Sequence, residues 1–215
     1  MQNEKNISVL IVDDHPAIRT GIRAMIEKTG DIYVAGEAQD GDEARRLLEE
    51  LRPKVTLLDL VMPGFSPSAF ERWARENYPE TITLVLTSHD RDAYLASMME
   101  AGAAGYLDKS IHEGGLVDAI RRAASGQTLF DDHQKLRARR WRKDVEKKWN
   151  SLSKREREVL RLLAMSATNK FISKELQIAP KTLEKHLQRI YQKLDVSSRS
   201  EAALWGSEHV RDFPY

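Results

Sequence analysis

Three carboxylates, a hydroxyl and an ammonium stand at the ends of short apolar runs in the first half of the chain. "VLIVDDHP" ends in the pair Asp13 and Asp14, "VTLLDL" carries Asp59, "ITLVLT" ends on Thr87, and "GYLDKS" delivers Lys109. Adjacent carboxylates repel by about 1 kcal/mol at ~4 Å even in water. A hard divalent cation relieves that repulsion, and Mg²⁺ favours a few carboxylate oxygens with the rest of its shell open to water or phosphate. In such a setting one carboxylate can attack phosphorus and form an aspartyl phosphate. Asp59, alone and central on its run, is the natural nucleophile. Lys109 would neutralise phosphoryl oxygens as a point charge and Thr87 would donate to one of them, since phosphoryl transfer asks mostly for positioning and charge neutralisation.

Taken singly, each of these residues has a plain structural reading: an Asp pair caps a helix, and a loop Lys is solvated. Their joint placement carries the inference, and it depends on the elements beneath. The runs at 7–12, 32–38, 55–60, 82–87 and 104–107 are rich in Val, Ile and Leu. Continuous apolar runs imply strands covered on both faces. Helical patterns lie between them: one opens at Pro16 and closes at Gly30, and others cover 41–51, 67–77, 91–101 and 112–125. The alternation predicts a doubly wound, flavodoxin-like α/β domain with a five-stranded parallel sheet, and ligands of such sheets bind beyond the carboxyl ends of the strands.

The charge of the chain is divided unevenly. Residues 1–127 hold 14 Lys and Arg against 21 Asp and Glu, a net −7, whereas residues 128–215 hold 20 against 12, a net +8. A small basic module points to nucleic acid. Residues 132–149 contain eight Lys or Arg and a thin apolar seam of Leu136, Trp141, Val145 and Trp149, a charged helical linker by its pattern. Beyond it, Ser153 and Glu156 have capping-box spacing. A short helical segment at 168–176, a turn at "QIA", a long segment at 181–194 behind Pro180 and a last one from 198 to about 207 complete an all-α, four-helix helix-turn-helix pattern. Leu183, Leu187, Ile190 and Leu194 form a buried stripe on the long helix. Lys181, Lys185, Gln188 and Gln192 lie opposite, flanked by Glu184 and Arg189, and Gln and Lys suit base edges and phosphates of a major groove.

The expected domains are therefore 1–127, a linker at 128–149, and 150–215. The absence of cysteine removes disulfides and thiolate chemistry. Strand-sized apolar runs and the lack of a basic-then-apolar leader predict a cytoplasmic protein with no membrane partner.

"VDDHP", "LLDLVMPG", "LTSHD" and "GYLDKS" resemble the signature stretches of response-regulator receiver domains over roughly 7–125. The resemblance implies that Asp59 accepts a phosphoryl group from a sensor histidine kinase. It also implies that Mg²⁺ is held by Asp14, Asp59 and the Val61 carbonyl, with Asp13 acting through water, and that Thr87 and Tyr106 form a switch pair in which the ring turns inward. "LSKREREVLRLLA", "TNKFISKEL" and "KTLEKHLQRIYQKLDVSSRSEA" resemble the LuxR-type helix-turn-helix of the NarL/FixJ class, over roughly 150–207. By position, Glu184, Lys185 and Gln188 would face bases of double-stranded DNA, and Lys170, Lys181, Thr182, Arg189 and Arg199 would reach phosphates. The chain departs from the usual pattern in places: Ser110 replaces the proline after Lys109, Ser66, Pro67 and Ser68 stand where a glycine is common after the Met-Pro, Ser166 replaces a glycine after the first helix, Ala179 an N-cap serine, and Glu184 an often basic residue.

These features predict a transcription factor switched by phosphorylation, acting through homodimerisation and release of the recognition helix. Two other readings stand beside it. One is a DNA binder whose receiver serves only to dimerise, and the other is a Mg²⁺-dependent aspartyl-phosphate phosphotransferase with turnover. The favoured reading is a regulator and not an enzyme.

Overall fold

The computed structural model describes residues 6–210 and 213. The chain divides into two compact units, Met1–Trp141 and Arg142–Tyr215. The division falls inside a single helix.

In the N-terminal unit, strands β1 (Ile7–Val12), β2 (Ile32–Ala38), β3 (Val55–Leu58), β4 (Ile82–Thr87) and β5 (Gly105–Asp108) alternate with helices α1 (Pro16–Ile26), α2 (Gly41–Leu51), α3 (Pro67–Asn77), α4 (Asp92–Ala101) and α5 (Glu113–Ala124). The strands form one parallel sheet in the order β2-β1-β3-β4-β5. The chain therefore reverses its direction of growth between β1 and β3, which opens a crevice at their carboxyl ends. All four residues of β3 are buried, whereas the edge strand β2 exposes Tyr33. Ile22, Ile26, Leu116 and Ile120 cover one face of the sheet from α1 and α5. Leu48, Phe70, Leu95 and Met98 cover the other from α2, α3 and α4. Each such fully buried side chain contributes roughly 1.5–3 kcal/mol of burial free energy.

Strand β3 stops at Leu58, earlier than the run 55–60 predicts, so Asp59 lies just past the strand. Its amide still donates to the Val12 carbonyl at 2.8 Å, which keeps it in register with β1. β5 is displaced by one residue from the predicted 104–107 and ends on Asp108.

Helix α6 spans Asp132–Ser151. Its seam differs from the predicted one: Leu136 is 46% exposed, and Ala138 is buried instead. In the first turns Ala138 joins Phe130 in the cluster under α4. The last turns belong to the C-terminal unit, together with α7 (Lys154–Ala164), α8 (Asn169–Glu175), α9 (Pro180–Leu194) and α10 (Arg199–His209). There Trp149 is stacked on Phe213 at 4.9 Å between centroids, and the guanidiniums of Arg157 and Arg161 lie 5.1 and 5.3 Å from its ring. The predicted capping box is present, with Ser153 and Glu156 each accepting from the other's amide. Gly206 lets α10 approach α7, since a Cβ there would lie 3.3 Å from the Leu160 carbonyl.

Candidate phosphoryl-acceptor and nucleic-acid sites

β1, β3, β4 and β5 bring Asp13, Asp14, Asp59, Thr87 and Lys109 to one edge of the sheet. Asp13, Asp59 and Thr87 are buried. The Lys109 ammonium sits 2.6 Å from Asp13 Oδ2 and 3.1 Å from Asp59 Oδ2. Burial works against its charge, yet the bonds to Asp13 and Asp59 outweigh it and raise the ammonium pKa above its ordinary value. Asp59 Oδ1, the second oxygen of that carboxyl, is buried without a hydrogen-bond partner. An enclosed carboxylate oxygen costs desolvation unless a cation or donor meets it.

His15 is a member of the site that residue-type reasoning passed over. It N-caps α1 in an extended conformation, and its amide donates to Asp13 Oδ1 at 2.8 Å. Its Nδ1 lies 2.7 Å from Asp14 Oδ1. One ligand atom each from Asp13, Asp14, His15 and Asp59 falls within 4.8 Å of the others, close enough to share a metal ion. The run "DDH" carries that signal in the sequence. Val61 lies two residues beyond Asp59 in the loop before α3, with its side chain 40% exposed.

The expected switch pair is linked through the loop between β4 and α4. Thr87 Oγ1 accepts from the His89 amide at 3.1 Å, and the Tyr106 hydroxyl donates to the His89 carbonyl at 2.7 Å. The Tyr106 side chain is buried, and that burial, followed by the nearby Asp90 charge, pushes its phenol pKa up. Lys109 and Ser110 are joined by a trans peptide, and no cis bond occurs among the described residues.

In the C-terminal unit, Leu183, Leu187, Ile190 and Leu194 are buried as the stripe predicts. Lys170, Lys181, Thr182, Glu184, Lys185, Gln188 and Arg189 are all exposed. Arg199 is differently placed: it is half-buried, and its guanidinium donates to the Ala167 carbonyl and the Asn169 side chain, tying α10 to the turn before α8. α9 begins with Pro180 in its first turn and no side-chain cap from Ala179. Beneath it, the Lys193 ammonium lies 2.7 Å from the buried Glu156 carboxylate. Burial raises the Glu156 pKa, but Lys193 and the Ser153 bonds together overcome it and hold the carboxyl below its ordinary value. This pair fixes the long helix against α7. No described helix is long and apolar enough to cross a membrane.

Residues 9–121 match the response regulator receiver domain, and residues 150–205 match the luxR family of bacterial regulatory proteins. The chain is 33% identical over 211 residues to the nitrate/nitrite response regulator protein NarL of Escherichia coli, covering 95% of this chain and 97% of that protein. It is 39% identical over 202 residues to the transcriptional regulatory protein LiaR of Bacillus subtilis, covering 93% and 96%. Among solved structures it resembles a two-component response regulator RcsB–DNA complex, with a TM-score of 0.61, 26% identity, and 95% and 99% of the two chains covered. With a receiver domain joined to a LuxR-type DNA-binding domain, the chain belongs to the NarL/FixJ family of transcriptional response regulators.

Proposed function

We propose that Asp59 is the phosphoryl acceptor and that its phosphorylation by a sensor histidine kinase controls DNA binding by the C-terminal unit. The observation that carries this reading is the state of the Asp59 carboxyl: one oxygen is held by Lys109 and the other is buried with no partner. In the transfer, an Asp59 oxygen attacks phosphorus, the bond to the donor histidine nitrogen breaks, and the imidazole leaves with the electron pair and takes up a proton. Lys109 holds charge on the phosphoryl oxygens, and the Thr87 hydroxyl donates to one of them.

The clustered oxygens of Asp13, Asp14 and Asp59 fit a hard divalent cation, with the Val61 carbonyl as a further ligand. Mg²⁺, when bound there, supplies neutralisation of the carboxylates and of the incoming phosphoryl oxygens. The phosphoryl group adds about two negative charges at an already acidic edge and shifts a two-state equilibrium.

At the other end of the chain, the exposed Glu184, Lys185 and Gln188 of α9 face bases in the major groove, where Glu184 can accept from cytosine. Lys170, Lys181, Thr182 and Arg189 contact phosphates, with Arg199 supporting the turn that presents Lys170. Two copies reading half-sites ~34 Å apart provide enough contacts for specificity. The RcsB–DNA neighbour supports DNA as the partner of this unit.

The reading is tested by incubating the full chain with Mg²⁺ and acetyl phosphate, then measuring mass, oligomeric state and DNA affinity together. A stoichiometric gain of one phosphoryl group, absent in Asp59→Asn and accompanied by dimerisation and tighter DNA binding, is expected. Labelling without any change in assembly or DNA binding overturns the switch, and continuous turnover of the donor supports a phosphotransferase instead.

A further inference from the structure

The loop between β4 and α4 does more than join the switch pair. His89 meets Thr87 through its amide and Tyr106 through its carbonyl, and the residues after it bring two carboxylates to one guanidinium. Asp90 accepts both terminal nitrogens of Arg137 at 2.8 Å each, and Asp92 accepts Nε at 2.7 Å. Arg137 belongs to the first turns of α6. One turn earlier, Gln134 donates to the Tyr106 carbonyl at 2.9 Å, and Phe130 and Ala138 lie in the same apolar cluster as Tyr106 and Leu95. All of these contacts lie within the N-terminal unit.

The Thr87 hydroxyl accepts from His89, which leaves its own proton free to be donated. The loop conformation that presents Asp90 and Asp92 to Arg137 is therefore compatible with Thr87 donating to a phosphoryl oxygen on Asp59. An isolated, partly exposed ion pair contributes little, but a bidentate carboxylate contact within a network is the arrangement that contributes more. The coupling between two such events is reciprocal, because linkage requires each to favour the other equally.

We propose that Arg137 is a positioning residue of the phosphoryl switch: by clamping Asp90 and Asp92 it holds His89 where Thr87 can donate to phosphorylated Asp59, and phosphorylation in return tightens the seat of α6. The proposal rests on Asp59 being the phosphoacceptor. It makes the linker helix a participant in phosphorylation chemistry and gives the receiver a direct grip on the segment that leads to the DNA-binding unit.

The test uses the full chain with Mg²⁺ and beryllofluoride as a phosphoryl mimic. Beryllofluoride affinity is measured for the wild type, Arg137→Ala, Asp90→Asn, and the exchange Asp90→Arg with Arg137→Asp. Amide exchange over 132–140 is followed with and without the mimic. Arg137→Ala and Asp90→Asn are expected to weaken affinity by about fivefold or more, the exchanged pair to recover part of it, and wild-type exchange over 132–140 to slow when beryllofluoride binds. A clamp that is only structural would lower thermal stability, leave affinity within about twofold of the wild type, and leave exchange over 132–140 indifferent to the mimic. That result overturns the proposal. Beryllofluoride binding that is unchanged by Asp59→Asn would instead overturn the phosphoacceptor reading, and this one with it.

Discussion

Glu71 shows how much one buried group can impose on a receiver. It lies on α3 fully enclosed, Thr83 approaches without a hydrogen bond of good geometry, and burial pushes its pKa up to about 7, with Thr83 and Arg75 opposing only in part. A carboxyl with a raised folded pKa keeps its proton in the folded chain after the unfolded chain has lost it. Stability therefore falls as pH rises from the ordinary value of 4.5 toward about 7, then levels off. The loss across that window is about 3 kcal/mol. Urea unfolding of the N-terminal unit at about pH 5 and about pH 7.5 should show this decline, and Glu71→Gln should flatten it. Nothing in the sequence marks Glu71, because "AFERWAREN" reads as an ordinary amphipathic helix and only the packing decides that this acid faces inward. Asp13, Asp14, Asp59, Thr87 and Lys109 were legible for the opposite reason: polar residues at the ends of apolar runs stand out, and parallel topology gathers such ends.

Among elements, the two units end their helices by different means. In the N-terminal unit Gly30, Gly102 and Gly126 take left-handed backbone at helix ends, joined by Arg52 after α2. The C-terminal unit uses Ser166, Gln177 and Asp195 at φ of 59, 53 and 57. Each sits in the paired bonds of a Schellman ending; after α7, the Ser166 amide reaches the Leu163 carbonyl and the Ala167 amide that of Leu162. A side chain in this conformation costs about 1 kcal/mol that glycine avoids. Ser166→Gly should therefore stabilise the C-terminal unit by about 0.5–1 kcal/mol, read as a higher melting temperature of its transition. The replacement of the family's glycine by Ser166 was visible in the sequence, and so were the helices themselves, because a 3.6-residue apolar period needs no tertiary knowledge. Strand β3 was overextended at its C-terminus because Asp59-Leu60 continues the apolar pattern although the ladder with β4 stops at Leu58.

At the level of the whole molecule, the division into an acidic and a basic half foretold two modules, since charge asymmetry is a property of composition alone. The bonds that make α6 more than a spacer could not be foreseen. Arg137 and Asp90 are 47 residues apart, and a helix with eight Lys or Arg gives no sign of which one is engaged. The inferred seam likewise named Leu136 where folding buries Ala138, because a sparse apolar pattern leaves the rotation of a helix underdetermined.

The two ends of α6 are held by different forces, and this makes ionic strength an input to the molecule. The Arg137 clamp is ionic and partly open to solvent, with Asp90 57% exposed, whereas Trp149 is buried by ring stacking. Screening shortens electrostatic reach from about 10 Å at 0.1 M salt to about 3 Å at 1 M, and it leaves aromatic stacking largely untouched. Added salt should thus speed amide exchange over 132–140 and spare 145–151, loosening the helix from one end only. An interior that concentrates salt under osmotic stress would, by the same physics, slacken the receiver's hold on this helix with no change at the carboxylate site.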